Sequence, residues 1–176
     1  MSDDATLTWD SVVERRAWSQ QLLVSIAAVK ELLDRGNPDA FVSGYTMLPL
    51  SRQIKCWAEL VVAIARFESN WKPHEVFHEP PPLGVDSVGL LQLSYEDEPI
   101  HNLEHLDRAE KSLEDPLVNL RCGVKILSGL VAKDGVVAAT VAGKHRGAAR
   151  YWSVLRAGDR HHLEEIRRMV RLAVGL

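Results

Sequence analysis

The sequence lacks the features that would indicate several common classes of protein. It has no run approaching the roughly 20 apolar residues that a membrane-spanning helix needs. Its two cysteines, Cys56 and Cys122, lie 66 positions apart without a CxxC spacing, which excludes a zinc knuckle and a thioredoxin-type redox motif. Two buried free thiols and a single disulfide that closes a long loop are both compatible with this pair.

A large excess of charge of one sign is also lacking. The net charge is −3 and both signs are interspersed, so we expect neither nucleic acid nor an anionic membrane as a partner. The densest basic stretch, Lys144 to Arg150, is most simply a solvated helix face. The first ten residues are mainly polar and acidic instead of basic and then apolar, so we expect no secretion signal within this chain.

Hydrophobic residues recur with helical spacing along most of the sequence, and no alternating runs flank an Asn-Gly or Asp-Gly turn. With 176 residues, of which 46% are hydrophobic, the chain can bury one substantial core. The prediction is a single all-α or α-dominated domain with a small loop or short β element near a cleft. We divide it into an N-terminal helical extension (1–50), a core that carries the motifs (51–135) and C-terminal helices (136–176).

Five longer helices are predicted from periodicity and from start and stop signals. The first has Asp10 as its N-cap and ends at Asp34 or Arg35, before Gly36. The third starts at Asp115 and Pro116, a cap followed by a first-turn proline. The expected bounds are about 10–35, 51–68, 116–133, 148–156 and 161–174. Between the second and third helices, a loop from Asn70 to Asp86 contains three consecutive prolines, and a loop of this length in a compact domain is usually functional.

One carboxylate interrupts the apolar stripe of the second helix. A helix advances by 100° per residue, which places four apolar side chains within about 40° of Glu68: Ile54, Trp57, Val61 and Ile64. Desolvation there raises the pKa of a carboxyl, as a general acid requires near neutral pH. Glu59 is expected on the opposite, solvated face. The alternative is that Glu68 meets water or pairs with Arg66 or Lys72 as the helix frays.

Three blocks of sequence resemble, in the same order, those of the soluble lytic transglycosylase family, which is related in fold to goose-type lysozyme. Residues 68–73, Glu-Ser-Asn-Trp-Lys-Pro, are similar to its Glu-Ser-x-aromatic-x-Pro motif. The segment 87–93 resembles its Gly-Leu-Met-Gln-Leu block, and 115–123 resembles its Asp-Pro-x-x-Asn-Ile-x-x-Gly helix. The match covers about residues 55 to 130, and it leaves 1–50 and 135–176 outside.

The resemblance implies a lysozyme-like fold and an enzyme that cleaves peptidoglycan glycan strands without cofactor or metal. It implies that Glu68 is the catalytic acid and base, that Gln92 contacts substrate or orients the cleft wall, and that Asn119 is structural. The family's Ala-Tyr-Asn-x-Gly block is absent as such, and its nearest counterpart contains Tyr151. This tyrosine is therefore either a helper of the acid or half of a packed Tyr-Trp pair.

Further expectations accompany this assignment. Ser69, Ser87 and Tyr95 are the remaining candidates for contact with the sugar strand. We expect a monomer that acts at the cell envelope or periplasm, or that is exported to its site of action.

The number of carboxylates in the site separates two reactions. A transglycosylase needs only Glu68, because the muramic acid 6-hydroxyl of the substrate attacks the anomeric carbon. An inverting hydrolase needs a second carboxylate, typically about 6.5 to 9.5 Å away, to activate water. Asp86 is the candidate for a muramidase, with Glu96, Asp97 and Glu98 as further choices, and transglycosylation is the favoured reaction.

Other classes of function are compatible with parts of the sequence. A non-catalytic glycan-binding module would keep the fold, but an idle carboxylate on an apolar stripe is costly. A helical adaptor with a Pro-rich docking loop would show no dependence on Glu68. Two histidine pairs with helical spacing, at 74 and 78 and at 101 and 105, lack the His-Glu-x-x-His order of a metalloprotease, and no metal site is expected.

Overall fold

The structure is a computed structural model that describes residues 5–82, 84–158 and 160–176. Within these residues it contains six α-helices and two small antiparallel sheets, so the prediction of an α-dominated fold is confirmed. The helices are α1 (Arg16–Asp34), α2 (Pro38–Phe41), α3 (Leu50–Ser69), α4 (Asp97–His101), α5 (Pro116–Asp134) and α6 (Leu163–Val174). Strand β1 (Val76–His78) pairs with β2 (Asp86–Val88), and β3 (Ala138–Val141) pairs with β4 (Lys144–Gly147).

Helix α3 is the centre of the molecule. Every residue from Lys55 to Ala65 is buried, because α1 and α6 pack against the helix and the N-terminal segment covers a further side. The prediction that Glu59 lies on a solvated face is therefore wrong. Glu59 is 3% exposed, and its carboxylate accepts hydrogen bonds from the Thr8 N–H and hydroxyl. Periodicity could not show this, because the covering segment is 51 residues away in sequence.

The first helix begins later than predicted. Two short 3₁₀ turns, Thr8–Ser11 and Val13–Arg15, precede α1, and Asp10 does not cap it. Instead, the buried Asp10 carboxylate accepts hydrogen bonds from the Leu7 N–H at 2.8 Å and the Ser19 hydroxyl at 2.6 Å. These bonds fold the chain so that the indole of Trp9 is fully buried, and the indole N–H also donates to the Ser19 oxygen.

The C-terminal third differs most from the sequence predictions. The helix predicted over 148–156 is replaced by two 3₁₀ turns, Ala148–Arg150 and Ser153–Leu155, between which the Trp152 indole inserts and donates to the Leu91 carbonyl. The β3–β4 hairpin was not predicted. It turns through Ala142 and Gly143, both with positive φ, as a type I′ turn requires, and Ala in place of Asn or Asp gives no sequence signal.

Two other features answer questions that the sequence left open. Cys56 and Cys122 are both buried and free, so the disulfide alternative is wrong. Burial raises the pKa of each thiol to about 12, which makes both side chains unreactive packing residues.

In the described residues, no helix is both long and apolar enough to cross a membrane.

Candidate active site

Glu68 lies in the last turn of α3, at the mouth of a cleft of about 640 Å³. The helix ends directly after it, because Asn70 adopts the left-handed conformation with φ 51°. Among the described residues, Glu68 has no ion pair with Arg66 or Lys72, and Lys72 instead lies 3.5 Å from the Glu75 carboxylate. The alternative in which the fraying helix pairs Glu68 with a neighbouring cation is therefore not what the structure shows.

The pKa of Glu68 is raised to about 7. Burial is the largest cause, the positive charge of Arg156 opposes it, and the negative charge of Glu79 adds to it. Near neutral pH, this carboxyl can therefore carry a proton and donate it.

One wall of the cleft is the β1–β2 hairpin. Side chains alternate between the two faces of a strand, and the cleft face carries Glu75, Phe77 and Glu79 from the β1 side and Val85 and Ser87 from the β2 side. The sequence analysis predicted a loop over 70–86 and a short β element near the cleft, without assigning that element to residues. Because no strand was assigned, the sequence could not show which side chains face the cleft.

The two faces of the hairpin separate Asp86 from Glu79. Asp86 is not among the described residues that line the cleft, and its carboxylate lies 2.5 Å from His78 and 3.4 Å from Arg108. Glu79 does line the cleft, accepts a hydrogen bond from the Ser87 hydroxyl at 3.3 Å, and is near enough to raise the pKa of Glu68. The geometry therefore favours Glu79 over Asp86 as a second carboxylate.

The other acidic candidates, Glu96, Asp97 and Glu98, are not among the described residues that line the cleft. Glu96 pairs with Arg108 at 2.7 Å, and Glu98 lies 3.3 Å from His105. Asp97 is buried, and it accepts hydrogen bonds from the Ser94 N–H at 2.9 Å and from the Tyr151 hydroxyl.

A tight turn over residues 89–93 places Gln92 in the lining of the cleft. The buried Asn119 of α5 holds it, since its oxygen accepts from the Leu91 N–H at 3.0 Å and its amide donates to the carbonyls of Val88 and Leu113. The structural role that the resemblance implied for Asn119 thus agrees with its contacts. Gly89 must lack a side chain, because an added Cβ would lie 2.4 Å from the Asn119 nitrogen and φ is +79°.

Gln92 lies in this turn and lines the cleft. Its side-chain amide donates to the Gly89 carbonyl at 2.9 Å and to the Glu75 carbonyl at 3.1 Å, so it links the turn to the start of the hairpin. This arrangement supports the part of the prediction in which Gln92 orients the cleft wall.

Tyr151 also lines the cleft. Its ring packs against Trp152 with centroids 4.9 Å apart, and its hydroxyl donates to the buried Asp97 carboxylate. Burial and the charges of Asp97 and Glu68 raise the pKa of the Tyr151 hydroxyl, which therefore stays protonated. A helper role next to Glu68 remains compatible with this position.

Of the remaining candidates for substrate contact, only Ser87 faces the cleft. Ser69 is 5% exposed, and its hydroxyl lies 2.9 Å from the Leu90 carbonyl, so it joins the end of α3 to the turn. Tyr95 lies under the Arg108 guanidinium, and its hydroxyl accepts from the Leu113 N–H at 3.4 Å. We therefore assign Ser69 and Tyr95 to support of the site.

The sequence predictions missed Arg156, Phe77 and Glu79. The half-buried Arg156 lines the cleft and donates to the Ala149 carbonyl at 3.2 Å, and its charge acts directly on Glu68. No local signal marks Arg156, because it reaches the cleft only through the irregular chain path after β4.

The predicted histidine pairs do not converge. His74 contacts Glu114, His78 contacts Asp86, and His105 contacts Glu98. In the described part of the chain, no three or more His, Cys, Asp or Glu side chains are grouped so that they could hold a metal ion.

Comparison with known proteins extends the observed resemblance. Residues 50–164 match the transglycosylase SLT domain family. The fold is similar to that of wild-type DslA, with a TM-score of 0.85 and 34% identity over 97% of each chain. Two DslA variants, each with one glutamate replaced by glutamine, give TM-scores of 0.79 and 0.82 at 34% and 33% identity over 92% and 97% of each chain. Among curated proteins, none is significantly similar in sequence. The likeness therefore reaches beyond residues 55 to 130.

Proposed function

Because this chain belongs to the transglycosylase SLT domain family, which acts on peptidoglycan, we propose that it is a lytic transglycosylase with Glu68 as its catalytic acid. The bond cleaved is the β-1,4 bond between N-acetylmuramic acid and N-acetylglucosamine. The observation that carries the proposal is a carboxyl of pKa about 7 at the mouth of a 640 Å³ cleft.

In the proposed reaction Glu68 acts twice. Its protonated carboxyl donates a proton to the glycosidic oxygen, the bond from that oxygen to the anomeric carbon breaks, and Glu68 becomes a carboxylate. The carboxylate then accepts the proton of the muramic acid 6-hydroxyl. The oxygen of that hydroxyl bonds to the anomeric carbon and closes a 1,6-anhydro ring. Both products leave with no net change in Glu68.

The surroundings of Glu68 fit this cycle. Burial keeps the acid protonated near neutral pH, and Arg156 stabilises the carboxylate that forms after proton transfer. The Tyr151 hydroxyl donates a hydrogen bond to Asp97, so its oxygen is left to accept a hydrogen bond in the cleft.

Hydrolysis of the same bond is a second candidate, and Glu79 favours it. Glu79 faces the cleft and interacts with Glu68, as a carboxylate that activates water would. In DslA the two glutamates replaced by glutamine occupy positions 143 and 154 of that protein, eleven residues apart. Glu68 and Glu79 are also eleven residues apart. In this reaction Glu68 protonates the leaving oxygen, and Glu79 takes a proton from the attacking water.

Mass analysis of the soluble fragments released from purified peptidoglycan tests both candidates. The proteins are wild type, Glu68→Gln, Glu79→Gln and, as a matched control on the opposite face of the hairpin, Asp86→Asn. Transglycosylation gives anhydro fragments that Glu68→Gln loses by roughly 100-fold or more, while Glu79→Gln and Asp86→Asn still produce them.

The hydrolase would be established instead if the wild type releases reducing-end fragments that contain oxygen from labelled water. Both Glu68→Gln and Glu79→Gln would then have to abolish the release of these fragments. If the wild type releases nothing where a control lysozyme is active, the enzyme proposal fails and a glycan-binding module remains. If Glu68→Gln retains full activity, the assignment of the acid fails.

A further inference from the structure

A second groove, of about 540 Å³, lies beside the cleft. One wall comes from the segment before and at the start of α1, with Val12, Arg15 and Trp18, and the other comes from the residues after α3, with Trp71 and His74. Glu75 lines both the groove and the catalytic cleft, so the two depressions adjoin at that residue. A group that projects from a substrate past Glu75 would therefore meet the groove.

The N-terminal wall of the groove is held firmly on the catalytic helix. The buried Glu59 carboxylate of α3 binds the Thr8 N–H at 2.9 Å and the Thr8 hydroxyl at 2.8 Å, and Trp9 is buried against Ser19. This segment precedes residues 50–164, which match the family. One wall of the groove is thus built by a segment outside the matched region, and the other wall by residues within it.

Arg15 is one of the basic side chains that line the groove. Its guanidinium carbon lies 5.7 Å from the Trp18 ring centroid and 5.2 Å from that of Trp71, so the two indoles hold it. Within the described residues, the Arg15 side chain has no hydrogen bond or ion pair, although Glu14 also lines the groove. By contrast, the other cations are engaged, since Lys72 contacts Glu75 and His74 contacts Glu114.

A guanidinium stacked on aromatic rings keeps its N–H groups at its edge, where their planar fork matches a carboxylate. The tryptophan and valine side chains around it offer apolar contacts to small aliphatic groups. The groove thus combines recognition of a carboxylate with recognition of short alkyl side chains.

We propose that this groove binds the short acidic peptide that peptidoglycan carries on its muramic acid, with Arg15 on a peptide carboxylate. The identity of this ligand rests on the proposed function, because a sugar in the cleft would present its peptide next to Glu75. Arg15 is then a residue that selects glycan strands bearing peptides over strands without them.

The test compares two substrates, glycan strands that carry peptides and the same strands after an amidase has removed the peptides. Arg15→Gln is expected to lower kcat/KM on the peptide-bearing strands by roughly tenfold, the size of one charge-assisted contact at a half-exposed site, and to leave the bare strands unchanged. Arg66→Gln is the matched control. Its guanidinium also stacks on Trp71, at 5.4 Å, but does not line the groove, so neither rate changes.

A titration of the free peptide into wild type, Arg15→Gln and Arg66→Gln, followed by tryptophan fluorescence, tests the groove without catalysis. The expected result is binding that only Arg15→Gln weakens, by roughly tenfold. Equal losses on both strand types, or no difference between Arg15→Gln and Arg66→Gln in either assay, would overturn the proposal. If the wild type cleaves neither type of strand, the proposed function fails. The titration still shows whether the groove binds the peptide through Arg15.

Discussion

The pKa of Glu68 depends on burial and on two neighbouring charges. Burial raises the pKa of the carboxyl from its usual value of 4.5 to about 7, and two charges of opposite sign adjust it. The folded protein therefore binds more protons on this group than the unfolded chain does between these two pH values. It follows that the charged form costs stability as pH rises through this window, a common cost of a catalytic acid.

The two charges near Glu68 predict opposite shifts of the pH profile. Glu79→Gln removes a negative neighbour, so the pKa of Glu68 falls and activity is lost at lower pH. Arg156→Gln removes a positive neighbour, so the pKa of Glu68 rises and activity persists to higher pH. Each substitution is expected to shift the pKa of Glu68 by roughly one unit. The pH dependence of kcat/KM measures both shifts, and NMR titration of the Glu68 carboxyl carbon measures them even in an inactive variant.

Arg108→Gln is the control for this pair, because Arg108 lies over Tyr95 and pairs with Glu96, away from the cleft lining. It should leave the Glu68 titration unchanged. Shifts of the same sign in Glu79→Gln and Arg156→Gln would show that general desolvation, and not these charges, controls the pKa.

At the scale of elements, the start of α5 and the turn at 89–93 form one unit. Asn119 satisfies three buried backbone groups of the turn and its surroundings, and Gly123 admits Leu91, whose side chain would lie 2.1 Å from an added Cβ. Four positions of the Asp-Pro-x-x-Asn-x-x-x-Gly block thereby have physical roles: Asp115 caps the helix, Pro116 begins it, Asn119 holds the turn and Gly123 gives it room.

Asn119→Ala tests this unit. It leaves the buried Leu91 N–H and Leu113 carbonyl without a partner, while the Val88 carbonyl still accepts from the Leu93 N–H. We expect the free energy of unfolding to fall by about 3 kcal/mol. Activity should fall as well, because the turn that carries Gln92 loosens. Urea denaturation and the fragment-release assay measure the two effects.

Ser128→Ala is the matched control on the same helix. Its buried hydroxyl donates only to the Lys125 carbonyl one turn earlier, and its loss should cost less than about 1 kcal/mol and leave activity intact. An Asn119→Ala variant no less stable than Ser128→Ala would contradict the role assigned to the amide.

The β1–β2 hairpin is the element on which the choice of reaction depends. In a strand, a shift of one residue moves each side chain to the other face. Glu75, Phe77 and Glu79 lie on the cleft face at alternate positions, while His78 and its partner Asp86 form a pair outside the cleft. Whether a second carboxylate is available thus depends on strand register.

At the scale of the whole molecule, the N-terminal segment belongs to the same core as α3. Leu7 and Trp9 are buried, and hydrogen bonds connect the segment to α1 and α3. Because of these contacts, and in line with the sequence prediction of a single domain, we expect this segment to unfold together with the rest of the chain.

We expect one cooperative urea transition that far-UV circular dichroism and tryptophan fluorescence report together. Trp9→Ala should move the whole transition to lower urea, at a cost of about 3 to 5 kcal/mol, because it opens a cavity in the core. Val13→Ala, at a 64% exposed position of the same segment, should cost less than about 0.5 kcal/mol. A separate early transition in Trp9→Ala would mean that the segment is an independent appendage.

The sequence by itself determined the features that depend on local spacing. Apolar residues at helical intervals located α3, α5 and α6, the cap and proline at 115 and 116 marked the start of α5, and the position of Glu68 on the apolar stripe identified a desolvated carboxyl. Each of these follows from residues within a few turns of one helix, where periodicity and capping act.

Only the tertiary structure decided the features that depend on contacts between distant segments. Burial of Glu59 required a segment 51 residues away, and the helix expected at 148–156 gave way to the insertion of Trp152 beneath the turn at Leu91. Glu79 faces the cleft and Asp86 does not, because the pairing register of β1 and β2 determines the face of the hairpin on which each side chain lies. Such contacts are fixed by packing across the chain, and local patterns of residues do not encode them.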